Sequence, residues 1–333
     1  MTRIAAVGAG RMGRGIAQVF AYAGFEVALI DVKPRGTDEA AAKLAEAIDE
    51  IARNLSFLES AGVLTSGQSA AVLARITAYD AISAEAALAD ADAVFEGVPE
   101  VMAAKQAALQ QISAAVGPDT IVASTTSTMQ VDELAAFVAR PERFLNAHWL
   151  NPAYLIPLVE VSAGVATAEA TVKATIELLE RAGKVPVRCA ARPGFIVPRI
   201  QALAMNEAAR MVEEGVASPE EIDKAIRVGF GVRYAVMGLI EFIDWGGGDI
   251  LYYASRYLNG ALGSERYAPP EVVETNMADG RIGLRSGQGF YDFSDMDINE
   301  YQRETLRKFV DLLRHLDMLP APGDSGPAEN QRP

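Results

Sequence analysis

The chain has 333 residues, and 30 Lys plus Arg against 44 Asp plus Glu leave a net charge of −14. Half of the residues are apolar and 22% are charged. That is a folded chain long enough for two domains, and the acidic excess argues against nucleic acid or an anionic membrane as partner. One cysteine, Cys189, excludes an intramolecular disulfide framework, and with only His148 and His315 beside it a Cys/His zinc cluster is excluded too, so no metal is expected.

The start of the chain, Met1 to Gly8, runs straight into a strand with no secretory pattern. No apolar run approaches the roughly 18–20 residues of a membrane span. A cytoplasmic protein is expected. Short apolar runs then alternate with helical patterns, which reads as a parallel α/β sheet. The predicted strands are Arg3–Val7, Glu26–Asp31, Arg75–Tyr79, Ala93–Glu96, Thr120–Ser124, Phe144–Trp149, Leu158–Ser162 and Val185–Cys189. An alanine-rich helix is predicted over Asp38–Ser60, followed by a break at Gly62–Ser69. After Pro193 the strand-like runs stop and helices are predicted at Ile200–Glu214, Pro219–Val228 and Met237–Leu258, the last interrupted by Gly246–Gly248. His315 falls on the surface of a terminal amphipathic helix. The expected divisions are 1–190, an α/β domain; 191–319, an all-α domain; and 320–333, a disordered Pro/Gly-rich tail.

Gly8-Ala9-Gly10-Arg11-Met12-Gly13 fits G-x-G-x-x-G. It follows a strand, opens a helix, and is followed by a second strand ending in Asp31, eighteen residues after Gly13. Gly8 makes the tight turn, Gly10 lets the backbone approach a pyrophosphate, and Gly13 allows close packing of helix on strand. The pyrophosphate meets free N–H groups at the helix N-terminus. Asp31 suits the two hydroxyls of the adenosine ribose and repels a 2′-phosphate, which favours NAD over NADP, although Lys33 and Arg35 follow closely. The expected fold class is therefore a doubly wound, Rossmann-type α/β sheet followed by an all-α C-terminal domain.

His148 ends one predicted strand, and Glu160 lies twelve residues on inside another apolar one. A carboxylate there is costly unless paired. A short connection between the two strands sets Glu160 against His148, where it fixes the imidazole tautomer and steadies the imidazolium. Ser124 to Thr128 follow the fifth strand, where hydroxyls either reach a ligand beyond the strand ends or cap the next helix.

Together with Phe95–Glu100, His148–Pro152, Pro157–Val161, Arg192–Val197 and Gly287–Tyr291, these stretches resemble the 3-hydroxyacyl-CoA dehydrogenase family, with its L-gulonate dehydrogenase/lambda-crystallin and carnitine dehydrogenase branches, over about Arg3 to Phe293. The resemblance implies an NAD-dependent oxidoreductase of fatty-acid metabolism that takes a small-molecule substrate such as 3-hydroxybutyryl-CoA and forms a homodimer through its helical domain. It implies His148 as base, Glu160 as the carboxylate orienting it, and Ser127 as a hydrogen-bond partner of the reacting oxygen. Gly8, Gly10, Arg11, Met12, Gly13 and Asp31 would hold the cofactor, with Glu100, Lys105 and Asn151 near its nicotinamide ribose and carboxamide.

Two positions depart from the family. Pro198 stands where relatives carry a substrate-binding Asn, and proline has neither a side-chain donor nor an N–H. No Lys or Arg lies between Arg53 and Arg75, in the hairpin expected to cover CoA phosphates. A free 3-hydroxy acid, gulonate- or carnitine-like, is the alternative substrate, and a non-catalytic NAD-binding relative is the other class weighed.

Overall fold

The computed structural model describes residues 2–319, and the tail expected at 320–333 lies outside them. In chain order the first elements are β1 (Arg3–Val7), α1 (Arg11–Tyr22), β2 (Glu26–Ile30), α2 (Thr37–Ser60), α3 (Ser66–Leu73) and β3 (Ile76–Tyr79). There follow α4 (Ala84–Ala89), β4 (Ala93–Glu96), α5 (Met102–Ala115), β5 (Ile121–Ser124), α6 (Val131–Ala135), β6 (Phe144–Trp149), β7 (Leu158–Ala163), α7 (Glu169–Arg181) and β8 (Val185–Ala190). The strand order is β3-β2-β1-β4-β5-β6-β7-β8. The winding reverses between β1 and β4, whose paired ends Val7 and Glu96 open the crevice where such sheets bind ligands.

The sheet is not parallel throughout, contrary to the sequence reading. β7 runs antiparallel to β6, with His148 directly opposite Glu160. The cause is the connection Leu150–Pro157, which is too short for the crossover of a dozen or so residues that a parallel neighbour requires. β8 returns to parallel through α7.

Helices cover both faces, which is why β4 and β5 are buried at every position. On one face Phe20 of α1 packs on Phe95 at 5.1 Å between ring centroids, and Phe95 meets Trp149 edge-on at 5.8 Å. Val94, Val122, Leu109 and Phe144 fill the other face. The break predicted at Gly62–Ser69 contains the start of α3. Thr65 precedes that helix and Gln68 reaches back to the Thr65 N–H at 2.8 Å, so a capping box nucleates it.

The first compact unit runs to Asn206, beyond the change of texture at Ala190–Gly194. Here α8 (Val197–Glu213) opens three residues before the predicted Ile200, because the Ile196 and Val197 N–H groups bond back to Glu160 in the sheet.

The second unit, from Glu207 on, continues with α9 (Pro219–Ala225), which passes into a π-helical turn at Ile226–Gly231 instead of running on to Val228. After α10 (Val232–Tyr234), the helix predicted over Met237–Leu258 is divided at Gly247, with φ 111°, into α11 (Leu239–Gly246) and α12 (Gly248–Leu262). Then come α13 (Glu271–Ala278) and α14 (Ile298–His315), with His315 exposed at its end. Buried Asp244 on α11 accepts the Phe290 and Tyr291 N–H groups at 3.0 and 2.8 Å. A Cβ on Gly289 would lie 2.2 Å from that carboxylate, so the Gly-Gln-Gly-Phe-Tyr stretch needs its second glycine. Among the described residues, no helix is long and apolar enough to cross a membrane.

Candidate active site

The glycine turn sits between β1 and α1. Gly8 has φ +104°, and a Cβ there would lie 2.8 Å from the Gly97 carbonyl oxygen; one on Gly13 would lie 1.9 Å from that of Gly8. Gly10 is different, since nothing lies within 4 Å of the position a Cβ would take. Two glycines thus close the turn by backbone contact and the middle one faces open space. Gly10 also caps α1 without any side-chain bond, and the first turn holds no acid. The helix N-terminus is therefore left free for an anion. Arg11 is exposed there and Met12 half-buried. These residues fit the pyrophosphate of a dinucleotide. Asp31, one residue past β2 and only 6% exposed, is engaged by Arg35 Nε at 2.7 Å.

The β6/β7 register carries the second half of the site. His148 Nδ1 lies 2.7 Å from Glu160 Oε2, with His148 5% and Glu160 0% exposed. The other carboxylate oxygen accepts the N–H groups of Ile196 and Val197 at 2.9 and 2.8 Å. Because an ionised carboxylate only accepts, Nδ1 must carry the ring hydrogen, and Nε2 of the neutral ring is left as a proton acceptor. Phe195 stacks on the imidazole at 5.4 Å, with its own backbone at φ 46°. Phe195 thereby covers one face of the ring while Glu160, itself held by the Ile196 and Val197 N–H groups, holds its edge.

A buried acid that the sequence reading passed over organises the loop beyond β4. Glu96 accepts the Val98 N–H at 2.7 Å, the Ser124 hydroxyl at 2.6 Å and the Lys105 ammonium at 3.1 Å. Its signal was the one used for Glu160, a carboxylate inside an apolar strand. Lys105, expected near the cofactor, is 1% exposed; Glu96, the Val98 carbonyl and Glu100 enclose its ammonium. Glu100 Oε1 in turn accepts the Ser127 and Thr128 N–H groups at 3.0 and 3.1 Å and the Thr126 hydroxyl. Burial pushes the Glu100 carboxyl up, but the Thr126 hydroxyl, Lys105 and Thr128 outweigh it and hold it below the usual range. Within the hydroxyl cluster, Ser124 and Thr126 are buried in this network, whereas Ser127 is exposed. The cap of α6 is Gln130, not one of the cluster.

Asn151 is exposed on the β6–β7 connection, and Pro198 falls in the first turn of α8. A further buried cation, which the sequence gave no reason to single out, braces that connection. Lys184 donates to the carbonyls of Ala153 and Ile156, the latter at 3.0 Å, and lies 5.5 Å from the Trp149 ring centroid. No carboxylate pairs with it among the described residues, and burial pushes its pKa down to about 8.

A doubly wound sheet with an open glycine turn and a carboxylate-bound histidine at its strand ends has the parts of a dinucleotide-dependent dehydrogenase. The family models agree: residues 3–192 match the 3-hydroxyacyl-CoA dehydrogenase NAD binding domain and residues 194–293 match the C-terminal domain of the same family. The chain belongs to the 3-hydroxyacyl-CoA dehydrogenase family. It is 35% identical to the 5-formyl-3-hydroxy-2-methylpyridine 4-carboxylate 5-dehydrogenase of Mesorhizobium japonicum, covering 94% of this chain and 98% of that one. It is likewise 35% identical to a probable 3-hydroxybutyryl-CoA dehydrogenase of Bacillus subtilis, over 88% and 98% of the two chains. Among solved structures, the 3-hydroxyacyl-CoA dehydrogenase of Archaeoglobus fulgidus superposes with a TM-score of 0.75 at 28% identity, covering 96% of this chain and all of that one.

Lys184 leads to a pH prediction. The unfolded chain keeps an ordinary lysine at about 10.4. Below pH 8 both states hold the proton, and this group adds no pH dependence. Between about pH 8 and pH 10 only the unfolded chain holds it, so its titration makes stability rise with pH. Urea unfolding across that range should show Lys184→Met losing this rise relative to wild type; equal slopes would refute the assignment.

Proposed function

We propose that the chain oxidises the 3-hydroxyl of a 3-hydroxyacyl-CoA, of the 3-hydroxybutyryl-CoA kind, to the 3-keto product, with His148 as base. The observation carrying this reading is the 2.7 Å contact of His148 Nδ1 with buried Glu160, which leaves Nε2 to take the hydroxyl proton. Glu160 holds the ring in that tautomer and stabilises the imidazolium that forms. Ser127, whose backbone is fixed by Glu100, offers its exposed hydroxyl to the reacting oxygen. Gly8, Gly10, Arg11, Met12, Gly13 and Asp31 hold the cofactor, with Glu100 and Asn151 at its nicotinamide end; Lys105, enclosed by acids, acts there by positioning Glu100. NAD, when bound, supplies the acceptor for the C3 hydride.

Three observations favour a free acid as the second reading. Pro198 provides no amide to a thioester substrate, and no basic residue lies between Arg53 and Arg75, so the last turns of α2 and all of α3 have no cation for CoA phosphates. The Mesorhizobium relative is named for a pyridine carboxylate, not a thioester.

The helical unit supports a homodimer. Among the described residues after Asn206, the buried apolar side chains are few: Ile222, Val232, Met237, Val273, Leu284 and Phe293. Along α12, meanwhile, Ile250, Tyr253 and Tyr257 stand 62%, 60% and 74% exposed on one stripe. An apolar stripe of that kind in so acidic a chain is best covered by a second copy.

His148→Ala should lower kcat roughly a hundredfold or more, the scale of a lost general base, while leaving NADH binding by fluorescence almost unchanged; retained turnover would end the assigned role. NADH formation from matched 3-hydroxyacyl-CoA thioesters and free hydroxy acids should be fastest with a short thioester. Turnover of a free acid alone would select the second reading. Light scattering should give a dimer mass, and Tyr253→Glu with Tyr257→Glu a monomer; a monomeric wild type would dismiss the dimer.

A further inference from the structure

We propose that Arg35 sets cofactor specificity at the adenosine ribose, and that it makes this site accept the 2′-phosphate of NADP as well as the free ribose of NAD. A lone carboxylate after β2 discriminates against a 2′-phosphate in two ways. It takes both ribose hydroxyls on its two oxygens, and its charge repels the phosphate. Arg35 weakens both. Its Nε holds Asp31 Oδ2 at 2.7 Å, and Asp31 Oδ1 has only the Lys33 N–H at 3.4 Å. One oxygen is thus occupied, and the negative charge has a cation against it.

The guanidinium is placed to serve the phosphate itself. Its Nη1 holds Glu39 in the first turn of α2, and its Nη2 has no hydrogen-bond partner among the described residues. Glu39 is exposed, so that contact is screened and readily exchanged. Lys33 is also exposed, and its ammonium enters no ion pair among the described residues. A phosphate at the ribose 2′ position would meet a planar fork that matches its oxygens and a second cation nearby. The groups on the other side of the balance are Asp31, Asp38 and Glu39, all within the same loop and first helical turn. Nη2, together with Nη1 released from exposed Glu39, meets the phosphate while Nε keeps Asp31 paired.

This inference rests on the reading of the glycine turn and Asp31 as the dinucleotide site, and the test separates the two. Calorimetric titration of the full chain with 5′-ADP reports the site, and titration with 2′,5′-ADP reports Arg35. Wild type should bind both, with affinities within roughly tenfold of one another, because a gained charge-assisted contact offsets the repulsion. Arg35→Met should weaken 2′,5′-ADP by roughly tenfold or more while changing 5′-ADP less than about threefold. Added salt should weaken 2′,5′-ADP more than 5′-ADP in wild type, and the difference should shrink in the variant. Binding of 5′-ADP without 2′,5′-ADP, or equal weakening of both by Arg35→Met, would overturn the proposal. Failure of 5′-ADP itself to bind would overturn the reading of the turn and this inference with it.

Discussion

A fully buried carboxylate must be satisfied on both oxygens, and Glu160 is satisfied by groups from two distant parts of the chain. One oxygen holds His148 across the β6/β7 pair, and the other holds two backbone N–H groups at the start of α8. The same charge therefore fixes the ring's tautomer, the onset of the helix that leads into the second unit, and the segment that places Phe195 over the imidazole. Without the antiparallel turn from β6 to β7, none of these groups would share an acid.

Glu96 repeats the device at the end of β4. Its two oxygens are spent on a hydroxyl, an N–H and the ammonium of Lys105, and Lys105 passes the order on to Glu100. Glu100 then fixes the backbone of the hydroxyl-rich loop. Two buried acids at the ends of neighbouring regions of one sheet thus shape the loops that border the crevice. A chain with a net charge of −14 keeps these acids inside by giving each a cation, a ring or backbone N–H groups. Lys184 is the converse, a buried cation satisfied by carbonyl oxygens and an indole face.

Much of this is legible in the sequence. Strand positions agree to within a residue or two, since each strand is a short apolar run bounded by turn residues, and the glycine turn is recognisable because only glycine tolerates its close contacts. The pairing of His148 with Glu160 was readable because a carboxylate in an apolar strand demands a partner. The glycine run at Gly246–Gly248 likewise announced the division at Gly247, whereas the π-helical turn at Ile226–Gly231 was not readable, since the helical pattern continues through it. Nor was the full set of partners around Lys105, which gathers residues from β4, the loop after it and α5.

Local composition and spacing, then, were enough for the α/β-then-α order, the glycine turn and the identity of the acid–histidine pair, because each depends on residues close in sequence or on a cost that any buried charge incurs. Strand direction, the enclosure of Lys105, the bracing by Lys184 and the capture of Asp31 by Arg35 came from the folded chain alone. Those depend on which groups meet when distant segments pack, and a hydrogen bond between them exists only once the intervening chain has folded to bring the donor to its acceptor.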